Sequence, residues 1–401
     1  MSHNRKRETM SGTIRLRRQA MRRGASRSGA TVAIAISVAV MALAGCGASG
    51  DGNGNGDGDG SSNTADVAAA KKIIDEAQTR PATITQTVPI TKPIPTGKKL
   101  VFLSCGVETC EKTGELLRPG AEALGWSLDI VTTDGTPEQV SSAFSSAIRS
   151  GADAVIYPTA DIAQLAAPLK EAKEKGVLLA TVASVDVPDP NTPYFFAMGG
   201  PDYFAKIGRV LAAKVVADSG GSANALYVDL PQFAILTPMN DGFKATLKEE
   251  CPDCKSDTID IQASSLGKDA PDLIVSALRR SPDTKYVVLS EASAMEPGLP
   301  AALNAAGLKD VKILGQSGSE QVYTDVKSGV VLATVQPEGY SYSFGILDAL
   351  ARKWSGQEVI PIEANLLLLT KDNIPDDIKG RIAWPAVADM QAQYLKLWGK
   401  S

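Results

Sequence analysis

From Lys98 onward, short apolar runs alternate with amphipathic stretches. The runs at 98–105, 127–134, 154–159 and 177–184 are rich in Val, Leu, Ile and Ala, the composition of strands covered on both faces. Between them, apolar residues recur at three- and four-residue spacing, and Gly125, Gly151 and Gly176 supply helix stops. The alternation restarts at 224–230 and runs on through 256–263, 285–291, 311–317 and 330–337, again with helical stretches between. Strands alternating with helices predict a doubly wound parallel sheet, and two such series predict two α/β lobes. Open α/β sheets take ligands at the carboxyl ends of their strands, so facing lobes predict a cleft lined by the strand-to-helix loops.

The segment before this region reads differently. Arg15, Arg17, Arg18, Arg22, Arg23 and Arg27 precede an apolar run of 14 residues, 30–43. A spanning helix needs ~20 residues, so the run reads as the apolar core of a signal peptide covering residues 1–45. The true start could be Met10 or Met21, and the general secretory route is expected. Leu43-Ala44-Gly45-Cys46 resembles the lipobox of bacterial lipoproteins. That resemblance implies cleavage before Cys46, a lipid on its thiol, and a protein anchored to the cell membrane on its extracytoplasmic face. Residues 46–69 then form a flexible linker of mostly Gly, Ala, Asp, Asn, Ser and Thr, which cannot bury enough apolar area to order itself. Asp51 to Gly56 matches half of a calcium-loop pattern, but Ser62 stands where the bidentate Glu belongs.

Composition narrows the function classes. A chain of 401 residues with 44% hydrophobic positions is long enough for two domains, and a net charge of −4 argues against nucleic acid as a partner. The one histidine is His3, inside the expected signal peptide, so the mature chain has no Ser-His-Asp or Cys-His catalysis and no His-containing zinc site. No catalytic residue, metal or cofactor is expected, and an enzyme is not the reading. Besides Cys46, the cysteines fall into two close pairs, Cys105 with Cys110 and Cys251 with Cys254. Outside the cell such pairs predict two local disulfides rather than a shared zinc site, because some 140 residues separate them.

Residues 98 to about 370 resemble the type I periplasmic binding proteins of ABC transporters, nearest the ribose and galactose branch. Gly151-Ala-Asp-Ala-Val-Ile-Tyr-Pro, Asp241-Gly242-Phe243 with Leu247, and Ala333-Thr334-Val335-Gln336-Pro337 carry the resemblance. It implies a three-segment hinge near Gly199–Gly200, Val335–Pro337 and Leu366–Thr370. The expected lobes are then 70–199 plus 338–368 and 200–337 plus 369–401. It also implies a small-molecule ligand, sugar-like or related, and delivery to an ABC permease in the membrane. Sensing for a membrane histidine kinase is the alternative. Proteins that dock on a permease are expected to act as monomers.

The residues that hold sugars in that branch are replaced here. Gly106-Val107-Glu108-Thr109 stands for an aromatic pair, Asn240 or Asp241 for an Arg, Ser290-Glu291 for Asn-Asp, and the Gly315-Gln316-Ser317-Gly318 loop lacks its Asp. An ordinary pentose or hexose is therefore not the expected ligand. Eleven residues at strand ends are the candidate lining: Glu108, Asp134, Tyr157, Thr159, Ser184, Phe233, Asn240, Ser265, Glu291, Gln316 and Gln336. Tyr157 and Phe233 are candidate stacking surfaces, and Glu108 with Glu291 favours a donor-rich or cationic ligand over an anionic one. Trp126 and Trp354 are expected to pack in the core.

Overall fold

The computed structural model describes residues 65–400. The expected signal peptide, Cys46 and nearly all of the linker lie outside them.

The chain enters through α1 (Val67–Gln78), capped by the Asp66 carboxylate on the Ala69 amide. The first lobe then follows as β1 (Lys99–Leu103), α2 (Glu108–Leu116), α3 (Arg118–Leu124), β2 (Ser127–Val131), α4 (Pro137–Arg149), β3 (Ala154–Ile156), α5 (Ala166–Lys175), β4 (Leu178–Val182) and β5 (Tyr194–Met198). These five strands form one parallel sheet in the order β2-β1-β3-β4-β5. α4 shows why the sequence folds so. Thr136 caps it, Pro137 sits in the first turn, and Val140, Phe144, Ala147 and Ile148 place one apolar stripe under the sheet. α5 stops at Gly176, whose φ of 71° is open to glycine at little cost.

The second lobe holds α6 (Pro201–Ser219), β6 (Asn224–Asp229), α7 (Leu236–Glu250), β7 (Lys255–Asp260), α8 (Ala270–Arg280), β8 (Tyr286–Leu289), α9 (Ala292–Met295), α10 (Leu299–Ala305), β9 (Lys312–Gln316), α11 (Glu320–Ser328) and β10 (Val331–Pro337). The chain returns to the first lobe as α12 (Gly339–Trp354), adds β11 (Leu366–Leu369) to the second sheet, and ends on α13 (Met390–Leu397). The second sheet runs β11-β10-β9-β8-β6-β7, parallel except for β11. Two doubly wound α/β lobes are thus present, as the alternating pattern implied. Cys105 is bonded to Cys110, and Cys251 to Cys254. Trp126 and Trp354 meet edge to face at 4.9 Å in the core of the first lobe.

The lobe boundaries differ from those expected. Leu366–Leu369 is not a hinge segment but an edge strand paired antiparallel with β10, so the return crossing lies at 355–365. α1, placed with linker and first lobe on sequence, packs on α6, α7 and β11 of the second lobe, with the Asp66 amide bonded to the Glu250 carbonyl at 2.7 Å. α13, expected in the second lobe, packs on α3 and α12 of the first, where Trp398 stacks on Phe344 at 5.8 Å. The chain therefore passes between the lobes at 79–98 and 385–389 as well as at the three central crossings.

Candidate functional site

A cavity of about 120 Å³ lies between the carboxyl ends of the two sheets. From the first lobe its wall takes the Cys105–Cys110 loop, the Pro158-Thr159 turn after β3 and Val182-Ala183 at the end of β4. The second lobe contributes Phe204, the Phe233–Leu236 turn, Glu291 after β8 and Gln316-Ser317-Gly318 after β9. Pro337, Gly339 and Tyr342 close the hinge side, with Ile382 and Ala383 from the segment after β11. A second chamber of about 220 Å³ adjoins it, sharing Thr159, Ala183, Phe233 and Ile235 and adding Tyr157, Asp161, Ser184 and Asp186.

Backbone conformation sharpens this wall. Among the described residues, three that are not glycine hold positive φ: Thr159 (56°), Ala183 (56°) and Ser317 (72°). All three line the first cavity. Such conformations cost about 1–2 kcal/mol each and persist where surrounding structure imposes them. Gly106 and Gly135 set the Cys105–Cys110 loop against the loop after β2. A Cβ on Gly106 would stand 2.5 Å from the Asp134 carbonyl oxygen, and one on Gly135 would stand 2.5 Å from that of Cys105. Only glycine permits that approach.

Glu291 is the charged centre. Its carboxylate accepts hydrogen bonds from the hydroxyls of Ser293 and Ser317 and from Gln316 Nε2, the last at 2.8 Å. Burial raises its pKa, while these three donors and the Ser293 backbone amide pull it back. Ser293 Oγ also lies 2.6 Å from Thr109 Oγ1 across the cleft. Ser293 gives its proton to the carboxylate, so Thr109 is the donor in that bridge. The lobes are thereby joined by a continuous chain from Thr109 through Ser293 to Glu291.

Of the eleven expected residues, Thr159, Phe233, Glu291 and Gln316 meet in the first cavity, and Tyr157 and Ser184 line the second beside Thr159 and Phe233. Ser184 Oγ is committed to the Ala160 carbonyl and the Asp186 amide. Glu108 opens α2 between two lining residues, Val107 and Thr109, and its side chain lies outside the described set. The other four belong elsewhere. Asp134 turns back to accept from the amide and hydroxyl of Thr136 at 2.9 and 2.7 Å. Asn240 is buried on α7 beside Asp229. Ser265 ends a 3-10 turn after β7, away from the wall. Gln336 is spent on the backbone of Trp384, donating to its carbonyl at 2.7 Å and accepting from its amide at 2.9 Å.

Sequence reasoning missed Thr109, Thr113, Ser317, Tyr342, Ile382 and Ala383. Thr109 and Thr113 lie one turn apart on α2, with the Thr113 hydroxyl bonded to the Thr109 carbonyl at 2.7 Å, a helical spacing that a search confined to strand ends overlooks. Ile382 and Ala383 come from a stretch without periodicity, brought in by the Tyr323 hydroxyl on the Ile382 carbonyl. No sequence signal pointed to them.

The profile of the family described as "Periplasmic binding protein domain" matches residues 109–358. Solved structures share the fold at low identity. A 5-methylthioribose transporter solute-binding protein from Thermotoga lettingae TMO, in complex with 5-methylthioribose, is 20% identical, covers 76% of this chain and 100% of its own, and has a TM-score of 0.61. The Caulobacter myo-inositol binding protein bound to myo-inositol is 21% identical, with coverages of 72% and 97% and a TM-score of 0.60. An ABC sugar transporter subunit from Rhodobacter sphaeroides 2.4.1 is 23% identical, covering 69% and 99% with a TM-score of 0.57.

Proposed function

The chain belongs to the periplasmic binding protein domain family, and from that premise we propose that it is the extracytoplasmic solute-binding lipoprotein of an ABC-type importer. It takes one small molecule in the cavity between its lobes and presents it to a membrane permease. The observation that carries this reading is the convergence of both sheets' carboxyl ends on one cavity, whose wall includes the three strained residues. Backbone strain at those positions fits a wall preset for a ligand. Lipid on Cys46 would hold the protein at the membrane through the linker, and the chemistry of the lipobox supports that anchor. The solutes named for the three solved relatives, 5-methylthioribose, myo-inositol and sugars, support a small molecule as the cargo.

A thermal-shift screen of sugars, polyols, nucleosides, amines and aromatic compounds tests the function. A solute at about 100 times its Kd is expected to stabilise the fold by ~2.7 kcal/mol, a rise of a few degrees in Tm. A screen in which no class raises the Tm would overturn the proposal.

A further inference from the structure

The side chains around the cavity are matched in an unequal way. Among the described lining residues there is no Arg, Lys or His, and the single acid is Glu291. The hydroxyl protons of Thr113, Thr159 and Ser317 go to the Thr109 carbonyl, the Pro158 carbonyl and Glu291, and that of Thr109 goes to Ser293. Gln316 turns its amide nitrogen to Glu291, and its Oε1, buried in the wall, has no hydrogen-bond partner within the protein. What the wall leaves for a ligand is the unpaired acceptor Gln316 Oε1, the charge of the Glu291 carboxylate beside it and, on the hinge side, the Tyr342 hydroxyl, which also has no partner within the protein.

The rest of the wall is apolar. Val182, Phe204, Phe233, Ile235, Leu236 and Ile382 surround the space with hydrocarbon. Its volume, about 120 Å³, approaches the ~150 Å³ of an apolar cavity that takes benzene. A polyhydroxylated ring in such a wall would leave most of its hydroxyls desolvated and unpaired, at ~1–3 kcal/mol each. An anion would meet Glu291 with no cation beside it among the described lining residues.

We propose that the ligand is a compact apolar ring bearing one ammonium or other strong N–H donor, the ring held by the Phe233 side of the cavity and the donor seated between Glu291 and Gln316 Oε1. This rests on the solute-binding reading above and narrows it to a ligand class. A cationic donor there supplies a counter-charge that half-buried Glu291 lacks among the described residues, and charge-assisted hydrogen bonds are roughly twice as strong as neutral ones.

Titration calorimetry of the full chain with benzylamine, benzyl alcohol, benzoate, ribose and myo-inositol tests it. Benzylamine is expected to bind tightest by at least about tenfold, with benzyl alcohol weaker and benzoate undetectable. Glu291→Gln should lower benzylamine affinity about tenfold or more and shift benzyl alcohol less than about threefold. The order among the five probes is read on the wild-type chain, so it stands even where that variant folds poorly. Failure of benzylamine to bind, or tighter binding of benzoate, ribose or myo-inositol, overturns the ligand class. If a sugar binds and the cavity-filling Val107→Trp abolishes it, the solute-binding function stands while the class falls. If benzylamine binds equally well to Val107→Trp, both fall.

Discussion

Gln336 shows how a residue can carry a family resemblance and still do something else. Its side chain forms a reciprocal pair with the Trp384 backbone, in a position fully shielded from water. Gln336→Leu strips two buried backbone groups of their partners, at about 2–4 kcal/mol together. Denaturant unfolding should show that loss while solute affinity per folded molecule changes less than about threefold; a large affinity loss at unchanged stability would return Gln336 to the site. Glu296 gives a second residue-scale test. Burial, and then the neighbouring Asp325 carboxyl, push its pKa up to about 8. A folded value above the unfolded one means the native state holds a proton that the unfolded chain releases. Its contribution is therefore full below about pH 4.5 and lost as pH rises through about 8. Glu296→Gln should flatten the fall in Tm between pH 5 and 8.5 and leave the variant more stable at the upper end by on the order of 2 kcal/mol. Parallel Tm profiles for the two proteins would refute this. Thr159, Phe233, Glu291 and Gln316 reach the first cavity from the last residue of a strand or from the loop up to four residues beyond it. Position alone does not say which way a side chain turns, and that misplaced Asp134 and Gln336.

At the scale of elements, nine of the eleven strands among the described residues were legible, because β-branched runs framed by helical periodicity leave one arrangement. β5 was overlooked, since Phe195 and Phe196 follow a Pro-rich loop without a helix between. β11, four leucines without a flanking helix, resembled a hinge segment, and its pairing with β10 depends on tertiary contact alone. The added braces are the larger lesson. Asp348 and Arg352 on α12 form a buried ion pair at 2.6 Å, and Asp348 also accepts from Gln86 at 3.2 Å and from the Trp398 indole at 2.9 Å. Arg352 in turn donates to the Val88 carbonyl. One ion pair therefore ties the 79–98 strap and the end of the chain to the first lobe. Arg352→Met leaves a buried carboxylate without its cation, which costs about 3–5 kcal/mol. Limited proteolysis should then cut first within 79–98 and after 385, whereas unchanged cleavage would show that other contacts hold these segments.

For the whole molecule, α1 sets where the linker meets the folded protein. It rides on α6 and α7, so the proposed tether pulls on the second lobe and leaves the first connected through the hinge and braces. Cys46→Ala should move the protein from the membrane fraction to the soluble extracytoplasmic fraction, and retention with lipid labelling would refute the anchor. The central claim is narrower: one solute occupies the cavity between the lobes. Val107 lines that cavity from the first-lobe rim, where an indole would fill space without replacing a buried core side chain. The most direct measurement is calorimetric titration of wild type and Val107→Trp with the solute that gives the largest thermal shift. One molecule bound per wild-type chain, with at least about a hundredfold weaker binding to a Val107→Trp protein of similar Tm, is the expected result. Equal affinity for the two proteins would contradict it.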